Sequence, residues 1–405
     1  MGSSKRMLVV TGDFPVASET FIIAHIRGMI ERGWHVCVCA GTINRPEVTR
    51  LFGATAPETH AIDERASKFR ARFKFRQRGA LGKCFGASWE SQFPTSGGPR
   101  MFARAHELAA IAREFNPDVI HCEFGFQAPF AGPVAHALGV PMLVVFRGND
   151  FIRFPIEHGW QIYARMPIKS VAIAHSDFCE RILKRNLKVP VARVRRGVNR
   201  ANFRPPARAE GWGATVRLVV VGRLRFFKGH HLALEALALL RKMMPQREFT
   251  LTLVGGGDPA DTLWRKAEIL GLREQVKLTG MLDPAGVSEH MRQADIQLIP
   301  SQAGAAGFVE NFCTVASEGL ASGLPAVASN HGGIPETVRD NGVLVPAGSA
   351  HEIARGVIAL LQSNTPAGWA AKTQADSQRF QDEQMMDDFE KVTKEAIEGT
   401  PWMQP

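Results

Sequence analysis

Short apolar, β-branched runs alternate with longer helical stretches along this chain, and the series starts afresh near mid-length. Runs at 7–11, 35–40, 118–121, 142–146 and 171–174 are too short for helices and apolar at successive positions. They suit strands of a parallel sheet covered on both faces. The stretches 21–32, 102–115, 128–137 and 176–187 carry the helical spacing between them. A segment of Pro, Ala, Arg and Gly at 204–215 then precedes a second series, with strands at 218–221, 250–254, 276–280, 294–300 and 326–329. Helices at 312–321 and 351–362 belong to that series, and a charged helical tail occupies 369–405. The fold class expected is α/β, with two Rossmann-like, doubly wound domains at 1–203 and 216–368 facing each other across a cleft. At 405 residues, 45% of them hydrophobic, each half has enough apolar side chains for its own core. No repeat of longer period accompanies the alternation, so a solenoid is not expected.

The formal net charge of +10 calls for an anionic partner: nucleic acid, anionic lipid or an anionic small substrate. The six cysteines fall at 37, 39, 84, 122, 179 and 313, without C-x2-C pairs or a neighbouring His cluster. Neither a zinc site nor a disulfide framework is expected from that spacing, and a reducing cytoplasm is. No run approaches the roughly 20 apolar residues of a membrane span. MGSSKRMLVV reads as a first strand and not as a signal peptide. Residues 44–100 read as irregular. Within them, 68–79 (KFRARFKFRQRG) sets six cations among three phenylalanines, which suits an anionic membrane surface or a solvated helix with its rings inward.

The stretch 307–329, GFVENFCTVASEGLASGLPAVAS, carries the most chemistry. A glycine-bearing loop leads into a helix, and Glu310 and Glu318 lie two turns apart, about 12 Å along the axis. A helix start attracts phosphate through its unpaired N–H groups, whereas a carboxylate beside it suits the donor hydroxyls of a sugar. A nucleotide sugar fits that mouth. Its sugar would lie on Glu310, its diphosphate on the N–H groups of Phe312, Cys313 and Thr314, and its ribose on Glu318, with Asn311 also among the donor-binding residues. Upstream, Arg223 and Lys228 stand in the loop after a strand, where paired cations would neutralise a diphosphate leaving group. Gly255 and Gly257 allow close approach of a backbone or ligand, and Met281 and Leu282 are placed near the base. No Gly-Lys-Ser/Thr follows the glycines, which excludes a P-loop.

Glu-x7-Glu after the glycine loop, the following GLASGLPAVAS and HGGIPETVRDNGVLVPAGS, and G-R-x4-K-G at 222–229 together resemble the retaining glycosyltransferases of family four, which have the GT-B fold. The resemblance implies a nucleoside-diphosphate sugar as donor, no metal and no resident cofactor. FP-x-x-SETF at 14–21 resembles the opening of the exopolysaccharide and lipopolysaccharide branch, whose acceptors are often lipid-linked saccharides. Its loop implies acceptor or donor contacts from Ser18, Glu19 and Thr20; at FRGND, where the family often has His or Arg before Gly, the resemblance implies acceptor contacts from Arg147 and Asp150. Where the family commonly carries His-x-His, this chain has His121 and Glu123; these two and Glu310 are the catalytic candidates. The expected enzyme is cytoplasmic and peripheral at the inner face of the plasma membrane, with no nucleic-acid partner. Alternatives are an impaired GT-B partner subunit, which Glu123 would explain, and a GT-B-like nucleotide-sugar epimerase.

Overall fold

The computed structural model describes residues 5–16, 19–62, 98–164, 166–167, 169–304 and 307–399. In chain order its strands are β1 (Arg6–Val10), β2 (Asp13–Phe14), β3 (His35–Ala40), β4 (Thr42–Ile43), β5 (Glu58–Ala61), β6 (Val119–Cys122), β7 (Met142–Phe146), β8 (Ser170–Ala174) and β9 (Val191–Arg193). They continue with β10 (Thr215–Val221), β11 (Glu248–Val254), β12 (Val276–Leu278), β13 (Ile296–Ile299), β14 (Ala326–Ser329) and β15 (Gly342–Val345). The chain divides into two units. The first comprises Met1–His175, Cys179–Val194 and Met386–Pro405; the second comprises Ser176–Phe178 and Arg195–Met385.

The first unit holds a parallel sheet in the order β5-β3-β1-β6-β7-β8-β9. Successive residues Met7, Leu8, Val9 and Val10 are each 0% exposed, because helices cover both faces of a parallel sheet. The second unit repeats the plan in the order β12-β11-β10-β13-β14-β15, also parallel. Its core packs Leu218, Val220, Leu251 and Leu253 against Leu234, Leu237 and Val357 of the flanking helices. In each sheet the strand order reverses once, between β1 and β6 and between β10 and β13. Flanking helices leave in opposite directions at such a point and open a crevice beyond the carboxyl ends of the strands. Each unit therefore has one preferred place for a ligand.

Two sequence expectations change. Residues 45–61 are not irregular: Arg45–Phe52 is a helix, and β5 is an edge strand. The side chain of Asn44 caps that helix by accepting from the Glu47 amide (3.3 Å), and Val48 and Phe52 are buried one turn apart. The edge strand eluded the pattern because an edge need not be apolar. The segment 204–215 is tied to the second unit: Arg208 donates to the Ala294 carbonyl (2.5 Å), Trp212 to that of Asn364 (2.9 Å), and the Ala367 amide to that of Ala209 (3.1 Å). The tail is two helices, Pro366–Ser377 and Asp382–Glu398. Met386 and later residues group with the first unit, where Arg32 pairs with Asp387 (2.7 Å) and Trp34 donates to Glu390 (3.1 Å). Ser18 and the basic stretch 68–79 lie outside the described residues. Among the described residues, no helix is long and apolar enough to cross a membrane.

Candidate active site

In the second unit, the loops after β10 and β13 bring Lys228 to Glu310, with the Lys228 ammonium donating to Glu310 Oε1. Ser301, at the end of β13, donates to the same oxygen (3.2 Å). Backbone geometry sets this pair. Gly229 has φ +72°, and a Cβ there would fall 1.9 Å from the Pro300 carbonyl oxygen, so only glycine lets the Lys228 turn press against the end of β13. The Glu310 carbonyl is held in turn by the Gly333 amide (2.9 Å). Burial pulls the Lys228 ammonium down, but the charge of Glu310, helped by Cys313 and the Glu310 hydrogen bond, leaves it raised and firmly protonated. His331 faces the same carboxylate; burial lowers it against the pull of Glu310, and its Nε2 has no hydrogen-bond partner among the described residues.

The helix beyond this pair spans Thr314–Ala321, two residues later than the sequence suggests, and Cys313 makes no side-chain cap. The Thr314 amide turns back onto the Phe312 carbonyl (3.1 Å), which takes one of the expected phosphate donors out of play. Asn311 is buried and accepts from Ser176 (2.7 Å), while burial pushes the Cys313 thiol up to about 12. Burial also pushes Glu318 up to about 7, with Arg196 opposing and Asp382 adding to the shift. Arg223 is exposed, beside Lys228. Gly255 and Gly257 serve loop packing, since a Cβ at either would meet the carbonyl oxygen of Gly222 (2.0 Å) or of Leu224 (2.7 Å). Met281 is 74% exposed at the end of the β12 loop, and Leu282 packs onto the core below.

In the first unit, Glu123 follows β6 and is 0% exposed, as is His121. His25 donates through Nδ1 to Glu123 Oε1 (2.7 Å), and His121 Nε2 lies 3.5 Å from that oxygen. Arg147 forks over the other side: Nη2 donates to Glu123 Oε2, and Nε to the Glu123 carbonyl (2.9 Å). Its Nη1 meets His175 Nε2 at 3.1 Å. His175 Nδ1 lies 2.8 Å from the Val194 carbonyl and must donate there, so Nε2 is the acceptor for Arg147 and the ring is neutral. Burial alone would raise Glu123, but Arg147 and the histidines hold it well below the usual carboxylate range. Burial, reinforced by His25, takes His121 down to about 4, so it is neutral at pH 7. Phe389 closes the cluster, its ring centroid 4.6 Å from that of His25 and 5.9 Å from that of His121.

Neither His121 nor Glu123 therefore reaches solvent. Arg147 does, with 11% of its side chain, and its guanidinium lies over Phe21, 4.1 Å from the ring centroid. Asp150 departs from its expected place among acceptor contacts: it is 1% exposed and accepts from the amides of Gly125 (2.9 Å), Arg147 (2.9 Å) and Gly148 (2.7 Å). Its carboxylate ties the FRGND loop together. Glu19 is the N-cap residue of the helix Thr20–Glu31, and Thr20 is exposed at its first position. Sequence reasoning missed Ser301 and His331 in the second unit, and His25, His175 and Phe389 in the first. No local spacing marks them, because each comes to its carboxylate from another element.

The sequence model for the glycosyl transferase 4-like domain matches residues 19–183, and that for glycosyl transferases group 1 matches residues 212–376. The chain belongs to this glycosyltransferase family. The amylovoran biosynthesis glycosyltransferase AmsK of Erwinia amylovora is 26% identical over 92% of this chain and 95% of its own length. The putative colanic acid biosynthesis glycosyltransferase WcaL of Escherichia coli K12 is 27% identical over 87% of this chain and 89% of its own. Anabaena HepE, solved in complex with UDP and glucose, superposes with a TM-score of 0.71 at 18% identity over 96% of this chain and 99% of its own. This likeness is one of fold, and the glycosyltransferase described here has the GT-B architecture of two Rossmann-like units.

Proposed function

We propose that this glycosyltransferase moves a hexose from a nucleoside-diphosphate sugar to a hydroxyl of a saccharide or lipid-linked saccharide during polysaccharide biosynthesis, with retention and without a metal or resident cofactor. The observation that carries the reading is the Lys228–Glu310–Ser301 group at the strand reversal of the second unit, beside the start of Thr314–Ala321. Breaking the bond from the anomeric carbon to the diphosphate oxygen puts positive charge on the sugar and negative charge on the leaving group. Lys228 and Arg223 meet the latter. Glu310, released from Lys228 by the incoming diphosphate, accepts from sugar hydroxyls, and Glu318 accepts from the ribose. The departing phosphate takes the acceptor hydroxyl's proton on the same face.

In the first unit, Arg147 is the member of the buried cluster that meets an anionic acceptor, alongside Glu19 and Thr20. Glu123 and His121 hold its guanidinium in place and do not touch substrate. The names of AmsK and WcaL support an extracellular polysaccharide as the product class. The basic stretch 68–79 supports work at an anionic membrane face inside the cell.

A thermal-shift screen of UDP, GDP, ADP and TDP and their sugars tests the donor half, with Glu318→Ala run in parallel. Ligand at about 100 times its dissociation constant adds roughly 2.7 kcal/mol, enough to raise the melting temperature by a few degrees. One nucleotide stabilising the wild type, and the variant less, is the expected result. No shift with any of them overturns the reading.

A further inference from the structure

The cysteine pair that looked isolated in sequence acquires partners through strand register. β3 and β5 run parallel, with Cys37 paired to Glu58 and Cys39 to His60. Residues two apart on a strand share a face, and directly paired residues point the same way. The four side chains therefore stand on one face at the sheet's edge. One ligand atom each from Cys37, Glu58 and His60 lies within 4.8 Å of the others, and Cys39 lies two residues along the same face from Cys37. His60 Nε2 is 2.6 Å from Glu58 Oε1. Both cysteines are 0% exposed, whereas Glu58 and His60 form the outer rim.

We propose that Cys37, Cys39, Glu58 and His60 form a structural zinc site that fastens the edge strand β5 to β3. Two sulfurs, one imidazole and one carboxylate are a donor set for tetrahedral zinc, while the thiolates disfavour magnesium and calcium. With Cys39 drawn in beside Cys37, Glu58 and His60, protein fills all four positions, the mark of a structural and not a catalytic ion. Binding releases two thiol protons to solvent and leaves the imidazole neutral. The other cluster of ligating groups in this unit, His25 with His121 and Glu123, is unsuited to a cation because the Arg147 guanidinium already occupies Glu123. The edge cluster has a mechanical reason to exist. β5 is a four-residue edge strand with two exposed residues, so little apolar burial holds it down. Metal-binding free energy then becomes folding free energy for that strand.

The test is zinc content by mass spectrometry on untagged protein, then reconstitution of the stripped protein with cobalt(II) and absorption spectroscopy. The wild type is expected to hold about one zinc per chain, and the cobalt form to show a thiolate charge-transfer band in the near ultraviolet. Cys37→Ser and His60→Ala are each expected to weaken metal binding by at least the roughly 10–100-fold that loss of an outer partner costs elsewhere. Cys179→Ser, elsewhere in the unit, should leave it unchanged. His60 lies at the rim, so its variant keeps the test open if Cys37→Ser does not fold. Failure of the wild type to take up stoichiometric zinc, a cobalt spectrum without a thiolate band, or unchanged affinity in His60→Ala each overturns the proposal. The nucleotide screen is independent of all these outcomes.

Discussion

Glu123 and Glu310 stand at corresponding places in the two units, each in the loop after the strand where sheet order reverses, and each is bonded to a cation. Their surroundings differ. Arg147 spends its planar fork on three acceptors around Glu123, and the carboxylate is 0% exposed with histidines on its other side. Lys228 is a single ammonium with 21% of its side chain exposed, and among the described residues Ser301 joins it as a hydrogen-bond donor to Glu310. A guanidinium held at three points is costly to disturb and fixes a position. A lysine pair at a partly open loop can exchange its carboxylate for a diphosphate, because one compact charge replaces another. The same element of topology thus supports a brace in one unit and an exchangeable contact in the other.

The largest effect should come from breaking the brace. Glu123→Ala leaves the Arg147 charge without its carboxylate and should cost about 3–5 kcal/mol of stability in urea unfolding; a loss below about 1 kcal/mol would erase the distinction. Lys228→Ala should behave oppositely, lowering kcat with nucleotide sugar by about 10²–10³-fold with little change in melting temperature. A third test uses pH. Glu318, raised to about 7, is ionised mainly above that value, so the ribose contact proposed for it should weaken as pH falls through it, by up to about tenfold per unit. Calorimetry from about pH 6 to 8 should show that slope in the wild type and none in Glu318→Gln. The linked stability term has its own sign: a raised carboxyl favours the fold at low pH, and that contribution is lost as pH rises to about 7. Ser301→Ala should give the smallest effect, about 0.5–1.5 kcal/mol on donor binding, measured as a rise in KM. A larger loss would mean Glu310 is braced more like Glu123.

Fully buried inner strands were legible in the sequence, and 142–146 and 326–329 fall on the bounds of β7 and β14. Those that announce themselves less were not. β5 carries Glu, Thr and His on an edge, and β15 is a four-residue edge strand with one buried residue, Val345. The helix start was placed two residues early because the Thr314 amide makes a tight turn that no side-chain cap signals. Lys228, Gly229 and Glu310 were legible as a motif, and the approach of Gly229 to Pro300 gives that motif its physical content.

By itself the sequence determined the α/β alternation, its restart after 215, and the family, since each of these depends on spacing within an element or on a contiguous motif. Tertiary structure decided which candidate carboxylate is held by a forked guanidinium and which by a single, partly exposed ammonium, and it gathered Cys37, Cys39, Glu58 and His60 onto one face. These outcomes depend on partners far apart in the chain: His25 and Glu123 are separated by 98 residues, and Lys228 and Glu310 by 82. Burial then sets the strength of each charge, and no local pattern encodes how much water a distant helix will exclude.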